Sequence, residues 1–415
     1  MTSTLSANLK QRADYTHKHN LRTGRHGWLR LTPAYSVKMV EELIGAMERP
    51  ACVLDPFCGT ATTGLSAAYH GHSAVTTEIN PFLVWLGRAK TARYSHRDIL
   101  RARDACVAAL SLVKRGKISP ALEPPIHNIG RWWTPESLKF LRTLNAAIDE
   151  TTAQGTSERT LLRVAFCRTL ISLSNAAFNH QSMSFKTEGV QFALAIATDQ
   201  CGMFEDDVRF VLCGAEENPT GSCAVIEGDA RDLPQVLKTR FELVITSPPY
   251  ANRMSYIREL RPYMYWLGFL VNGRDAGELD WVSIGGTWGV ATSRLTEWKP
   301  RTQCHCGKKL NEILERISHQ ENANGVLLAN YVAKYFEDIW MHLEGLRAVL
   351  SKGARIHYIV GNSTFYGVLL PVEEFYADMM RTLGFEDVQI RPVRKRNSKK
   401  ELIEFDVSAC WRAAI

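Results

Sequence analysis

The amino-acid sequence predicts an α/β fold, an open sheet built from strand–helix–strand units and interrupted by two insertions. Three stretches predict it. Ala51-Cys52-Val53-Leu54-Asp55 is a short apolar strand that enters a turn holding Gly59, and a helix follows over about 62–69. Ser73-Ala74-Val75-Thr76-Thr77-Glu78 is a second strand with an acidic end, and Pro81 opens the next helix. Phe241-Glu242-Leu243-Val244-Ile245 is a third, apolar and bounded by polar residues. Pro248 and Pro249 cut it off, because neither can donate to a ladder.

The 415 residues allow two or three domain-sized units, or one α/β domain with insertions. Hydrophobic residues at 45% and charged residues at 22% are ordinary for a soluble globular protein, which excludes disordered and fibrous classes. A net charge of +7 is compatible with a polyanionic partner. Residues 1–15 are polar without an apolar core, so no secretory signal is expected, and the most apolar stretch, 263–271, is too short to span a bilayer. The ten cysteines lie mostly inside apolar runs, the pattern of reduced thiols in a cytoplasmic protein rather than a disulfide framework.

Residues 1–25 read as a basic, mobile arm. A run containing Trp28 and Pro33 then leads into a helix reaching about Met47, with Val37, Val40, Leu43 and Ile44 on one face. In the first strand–turn–helix unit, Gly59 lets backbone approach a ligand closely, and the helix N-terminus offers unpaired N–H groups to an anion. Glu78 ends the second strand about 20 residues later, where an acidic side chain accepts both ribose hydroxyls of an adenosine. From 96 to 222 the pattern turns helical, at about 97–114, 135–149 and 157–175. Arg131-Trp132-Trp133 and the amide-rich run 175–182 within it either touch phosphates and base edges or cap and pack a helical subdomain. The sheet resumes with Ala224-Val225-Ile226-Glu227-Gly228-Asp229, then the strand that ends at Ser247-Pro248-Pro249-Tyr250.

Beyond it, a helix carries Arg253, Tyr256, Arg258, Arg261, Tyr263, Tyr265 and Trp266. The stripe is either core packing with a solvated face or, at Arg253 and Arg258, phosphate contact. A second insertion, 271–322, holds Cys304-His305-Cys306 with no matching ligand pair, so no metal site is expected. A long amphipathic helix over 323–350, a strand at 354–360, a helix at 371–383 and strands at 385–393 and 402–411 complete the chain. Five of seven residues are cationic in Arg394-Lys395-Arg396-Asn397-Ser398-Lys399-Lys400. That tip is either solvated or binds phosphate through Arg394, Lys395, Arg396 and Lys399.

Taken in linear order, these stretches resemble the amino-methyltransferases of DNA. Trp28 and Pro33 fall in their motif X, beside the methionine end of the cofactor. Asp55-Pro56-Phe57-Cys58-Gly59-Thr60-Ala61-Thr62 resembles motif I, with Ala61 standing where the second glycine usually sits. Glu78-Ile79 resembles motif II, and Asp229-Ala230 motif III, whose Asp accepts from the cofactor adenine's amine. Ser247-Pro248-Pro249-Tyr250 resembles motif IV in its cytosine-N4 form; the adenine-N6 branch more often has Asp or Asn at Ser247. The resemblance implies a class I (Rossmann-like) methyltransferase fold, a mixed seven-stranded sheet with helices on both faces, spanning 26–95, 223–270 and 323–415. One or both insertions would recognise the target. It further implies S-adenosyl-L-methionine as cofactor, double-stranded DNA with a flipped target base as substrate, and a cognate restriction endonuclease as partner, with no membrane.

Motif IV then implies its chemistry. Ser247 Oγ and the Pro248 carbonyl accept from the target amine, Pro249 stiffens the loop, and Tyr250 stacks on the base. No Pro-Cys pair occurs, which argues against attack on cytosine C5. Adenine-N6 methylation, RNA as substrate, and an inactive DNA-binding protein, invited by Ala61, are the other readings. All of them except the last require the Gly59 turn and the Pro248-Pro249 loop to lie side by side.

Overall fold

The computed structural model describes residues 9–21, 23–29, 31, 35–177, 184–185, 199–287, 289–301, 307–319, 324–396 and 401–412. Among them, one sheet contains seven strands: β1 (Cys52–Asp55), β2 (Ser73–Glu78), β3 (Ser222–Glu227), β4 (Phe241–Thr246), β5 (Leu350–Gly361), β6 (Glu386–Lys395) and β7 (Ile403–Trp411). Their spatial order is β6-β7-β5-β4-β1-β2-β3. The five from β3 to β5 run parallel, and β7 enters antiparallel between β5 and β6. This is the class I methyltransferase arrangement. The strand order reverses between β1 and β4, whose register is Val53 opposite Leu243 and Leu54 opposite Val244. In an open α/β sheet, that reversal opens a crevice at the strands' carboxyl ends.

Alternation along the strands covers both faces. Val53, Leu243 and Ile245 share a buried cluster with Val40 and Ile44 of the helix Val37–Ile44. Leu54, Val244 and Ile356 point the other way, into a cluster with Leu328, Val332 and Phe336 of the helix Gly325–Arg347. Burial on both faces is why these strands read as continuous apolar runs.

The first insertion is helical, as expected. His96–Lys114 is opened by a capping box between Ser95 and Asp98. Pro135–Thr151, Ser157–Ser172 and Gln200–Glu216 follow, each with a side-chain cap. Trp132 and Trp133 are buried there, so packing is the role the structure gives them. The helix Tyr256–Trp266, just after the paired prolines, sends Ile257, Leu260, Tyr263 and Trp266 into the same core. The second insertion, of unassigned structure in the sequence, contains the helices Gly273–Val282, Val290–Glu297 and Gly307–Ser318. Leu295, Leu310, Ile313 and Ile317 pack in the cluster of the long helix. Cys304-His305-Cys306 lies outside the described residues. No described helix is long and apolar enough to cross a membrane.

The segment 1–25 needs correction as an arm. Where it is described it is packed: Tyr15 is buried, and the Arg25 guanidinium is fully buried against backbone carbonyls. A short hairpin, Ser363–Phe365 with Val368–Leu370, also escaped the sequence reading. Its turn holds Tyr366 and Gly367, both at positive φ.

Candidate active site

Hydrogen bonds tie the carboxyl ends of β1, β2 and β3 together. Pro56 ends β1, and the Cys58 N–H donates to the Thr77 carbonyl (2.9 Å), while Thr77 Oγ1 donates to the Pro56 carbonyl (2.8 Å). The Gly59 N–H donates to Glu78 Oε2 (2.8 Å), the Asn80 N–H to Glu78 Oε1 (2.9 Å), and the Gly228 N–H to the Glu78 carbonyl (3.0 Å). Gly59 sits at φ +50° and Ala61 at φ +61°, and the helix Thr62–Tyr69 starts directly after. Burial pushes the Glu78 carboxyl up to about 7 despite its two backbone donors. Asp55, at the end of β1, is raised to about 6, again by burial, and its Oδ2 has no hydrogen-bond partner among the described residues. Thr60 Oγ1 lies 3.0 Å from Thr62 Oγ1. Beneath the turn, Lys90 Nζ donates to the carbonyls of Thr60 (3.1 Å) and His26 (3.3 Å), and burial lowers it to about 8.

Asp229 follows β3. Its carboxylate caps the Arg231 N–H and pairs with the Arg231 guanidinium, which also reaches Asp338 (2.8 Å). Burial pushes Asp229 up, and the bonds and charge of Arg231 more than offset it, leaving the carboxyl below its ordinary range.

The Ser-Pro-Pro-Tyr loop stands next to this rim. Thr246 Oγ1 donates to Asp55 Oδ1 (2.6 Å) and Thr63 Oγ1 to the Ile245 carbonyl (3.0 Å), so the ends of β4 and β1 are bound side by side. Ser247 Oγ donates to the Ile359 carbonyl on β5 (3.1 Å). The Pro249 carbonyl accepts from Tyr335 Oη (2.9 Å), and the Tyr250 N–H donates to Tyr256 Oη (3.2 Å). No donor among the described residues bonds to the Pro248 carbonyl.

One helix braces both halves. Tyr331, Tyr335, Asp338 and His342 of Gly325–Arg347 follow helical spacing and share a face. They meet, in turn, the Arg253 N–H, the Pro249 carbonyl, Arg231 and the Ala230 carbonyl. Burial lowers His342 to about 4, so the ring is neutral. Nδ1–H then donates to Ala230, and Nε2 accepts from Tyr358 Oη (2.6 Å). The Phe57 ring meets this imidazole edge-on, at 4.8 Å between centroids. None of these four residues was singled out in the sequence. Their spacing was visible, but it reads equally as core.

No family model matches the chain. Among curated proteins it is similar to Type II methyltransferase M.BsoBI of Geobacillus stearothermophilus, at 20% identity over 93% of this chain and 84% of that protein. It is also similar to Type II methyltransferase M.AvaI of Nostoc sp., at 21% identity over 91% and 83%. Type II methyltransferase M.MvaI of Kocuria varians is 19% identical over 79% and 73%. The chain is a methyltransferase. Its methyl donor is S-adenosyl-L-methionine. Among solved structures, TrmN from Thermus thermophilus aligns with 96% of this chain and 53% of its own, at a TM-score of 0.31 and 12% identity. The rRNA methyltransferase aviRa from Streptomyces viridochromogenes aligns over 95% and 92%, at 0.29 and 11%.

In this methyltransferase, Asp55 and Glu78 are the last residues of β1 and β2, and Pro56, Phe57, Gly59, Thr60, Thr62, Ile79, Asp229 and Ala230 lie on the loops and helix starts at the carboxyl ends of β1, β2 and β3. Trp28 does not join them. It is fully buried in the helical core, against Tyr94 and Gly214, and a fully buried indole offers no face to a ligand. Pro33 and Lys399 lie outside the described residues. Arg253 is exposed on the loop after Tyr250, and Arg258 is half-buried with its N–H capped by Ser255. Arg394 and Arg396 are not a free cationic tip. Arg394 forms a two-pronged pair with Glu404, and Arg396 lies against the Tyr250 ring, because a buried carboxylate and an aromatic face compete with solvent for them. Lys395 is half-buried beside Lys10, whose carbonyl accepts its N–H (3.4 Å).

Proposed function

We propose that the protein transfers a methyl group to the exocyclic N4 of cytosine in duplex DNA, at a specific site, as the modification component of a restriction system. The observation that carries this reading is the Ser247 hydroxyl, whose hydrogen is committed to the Ile359 carbonyl while β4 is bound to β1 through Thr246 and Asp55. With its proton engaged, Ser247 Oγ turns its lone pairs elsewhere and acts as an acceptor. The Pro249 carbonyl is taken by Tyr335, which leaves the Pro248 carbonyl as the second acceptor.

An exocyclic amine is a poor nucleophile because its lone pair is shared with the ring. Two acceptors on its two hydrogens draw the nitrogen towards sp³ geometry and hold it in line for attack. When bound, S-adenosyl-L-methionine supplies an electrophilic methyl carbon on a sulfonium. A serine hydroxyl is too weak a base to take an amine proton early, so Ser247 and the Pro248 carbonyl hold and orient the amine, and its proton would leave only once the nitrogen is methylated. Tyr250 stacks on the base, which must leave the duplex to arrive there, at a cost of a few kcal/mol.

Several residues would hold the cofactor. Glu78 spends one acceptor site of each oxygen on backbone N–H groups and keeps others for the ribose hydroxyls. The N-terminus at Thr62 offers N–H groups to the carboxylate. The buried, unpartnered Asp55 Oδ2 fits the cationic methionine amine. Asp229 serves the adenine amine only with whatever acceptor capacity Arg231 leaves. Relatives that are Type II methyltransferases support DNA as substrate. The target-recognition region is assigned to the helical insertion at 96–222, with 271–322 as the other candidate.

Expression in a host free of DNA methylation, followed by mapping of modified bases, tests this. N4-methylcytosine at one recurrent sequence is the expected result. N6-methyladenine alone, or labelled methyl groups in RNA and none in duplex DNA, overturns it.

A further inference from the structure

Three features of the β5–β7–β6 end of the sheet converge on Tyr250. Its hydroxyl donates to Glu404 Oε1 at 2.8 Å. Glu404 is buried on β7, directly opposite Gly361 on β5 and Arg394 on β6. Arg394 Nε donates to Glu404 Oε2 (2.6 Å) and Nη2 to Oε1 (3.0 Å). The Arg396 guanidinium sits 5.2 Å from the Tyr250 ring centre and donates to the Asn362 carbonyl (3.0 Å).

The backbone is shaped for this. The β6–β7 register shifts between Pro392 and Arg394, so that one extra residue, Val393, brings Arg394 rather than itself opposite Glu404. At Gly361 a Cβ would come within 2.7 Å of Arg396 Nη1 and 3.0 Å of Tyr250 Cε2, so the missing side chain makes the room that both occupy. A carboxylate buried on a strand is costly unless its oxygens are filled. Here Arg394 and the Tyr250 hydroxyl fill them, and the tyrosine's plane is set by that bond, by Gly361 and by Arg396.

We propose that Glu404 is a positioning residue: with Arg394 as its counter-charge and Arg396 against the ring, it fixes the plane of Tyr250 on which the extruded target base stacks. This rests on the stacking role given to Tyr250 above. Glu404 touches neither base nor cofactor and acts only through the tyrosine.

The test uses the full chain and a duplex carrying its mapped site. Loss of the Tyr250–Glu404 bond by Tyr250→Phe or by Glu404→Ala is expected to lower kcat/KM for DNA by about tenfold or more, while the dissociation constant for S-adenosyl-L-methionine moves by no more than about twofold. The double variant is expected to be no worse than the poorer single one, because both remove one interaction. Glu404→Gln, whose amide oxygen still accepts from the tyrosine, is expected to recover most of the loss. With 2-aminopurine in place of the target base, the fluorescence of the bound duplex is expected to change in Glu404→Ala and return in Glu404→Gln. Additive losses, a parallel fall in cofactor affinity, or a Gln variant as poor as Ala overturns the proposal. Where Glu404→Ala does not fold, an unimpaired Tyr250→Phe overturns it alone. A wild-type chain that transfers no methyl group to any duplex instead removes the cytosine-N4 reading, and this inference with it.

Discussion

At Ala61 the chain holds an L-residue in the left-handed region, φ +61°, directly before a helix and fully buried among Cys58, Val84 and Val225. That conformation costs about 1–2 kcal/mol for a residue with a Cβ. Ala61→Gly removes the strain but adds freedom to the unfolded chain, worth about 0.5–1 kcal/mol. The expected outcome is a gain of up to about 1 kcal/mol in urea unfolding, with cofactor affinity kept or improved. Glu78 yields a second test at the same scale. Its carboxyl is raised by burial to about 7 from an ordinary 4.5, so the folded protein holds its proton between those values and the unfolded chain does not. The stability this proton confers is therefore full below pH 4.5 and is lost as pH rises through 7. Ribose hydroxyls donate to the ionised form, so cofactor affinity is expected to run the other way, rising through pH 7 and then levelling. Calorimetric titration across pH 6–8 checks this, and Glu78→Gln is expected to weaken binding and flatten the profile. Asp55, raised to about 6, titrates lower, so it is a slope above pH 7 surviving in Glu78→Gln that counts against the assignment.

At the scale of elements, the helix Gly325–Arg347 shows what pattern reading can and cannot deliver. Its amphipathic period was plain, and its bounds were off by only a few residues. The strands were as legible, because burial on both faces leaves continuous apolar runs, and the acidic and glycine residues at their ends do come together at the carboxyl edge of the sheet. The hydroxyls of Tyr331 and Tyr335 were not legible as site residues, because a tyrosine at a core position has the same spacing whether or not its oxygen finds a carbonyl 2.9 Å away on another loop. Likewise, Arg394 read as part of a charged tip because its partner, Glu404, is on the neighbouring strand, where a one-residue register shift decides the pairing, and Arg396 because it meets the Tyr250 ring and the Asn362 carbonyl, both distant in sequence. Tyr335→Phe isolates the helix's contribution. It removes the donor to the Pro249 carbonyl and the link to Tyr376 Oη (2.9 Å) while keeping the ring. It is expected to cost about 1 kcal/mol of stability and to lower kcat for methyl transfer more than it changes cofactor affinity. An unchanged kcat shows that the proline loop is stiff without that bond.

For the whole molecule, the question is whether the helical insertion is a separate unit. Its core says otherwise. Phe82, on the helix that follows β2, stacks on Tyr263 at 5.2 Å, and Trp266 from the helix after the proline loop meets Trp133 edge-on at 5.5 Å, so catalytic-domain elements form part of the insertion's interior. Arg25 closes the join. Its buried guanidinium donates to the carbonyls of Gly214 and Ala215 in the insertion, of Lys90 and Ala92 at the end of the β2–insertion helix, and to Asn218 Oδ1. A single side chain thus ties residues 23–29 to both units, and one of its acceptors belongs to Lys90, which itself holds the Thr60 carbonyl in the Gly59 turn. Removing the guanidinium leaves several buried carbonyls without donors, each worth about 1 kcal/mol or more. Arg25→Ala is therefore expected to lose about 3 kcal/mol or more in urea and to weaken cofactor binding through the turn. In the wild type, tryptophan fluorescence, to which the shared core contributes Trp28, Trp85, Trp132, Trp133 and Trp266, and far-ultraviolet circular dichroism of the whole chain are expected to report one coincident transition. Two separated transitions, with Arg25→Ala shifting only the fluorescent one, establish that the insertion folds on its own and that the shared aromatic core does not couple it to the sheet.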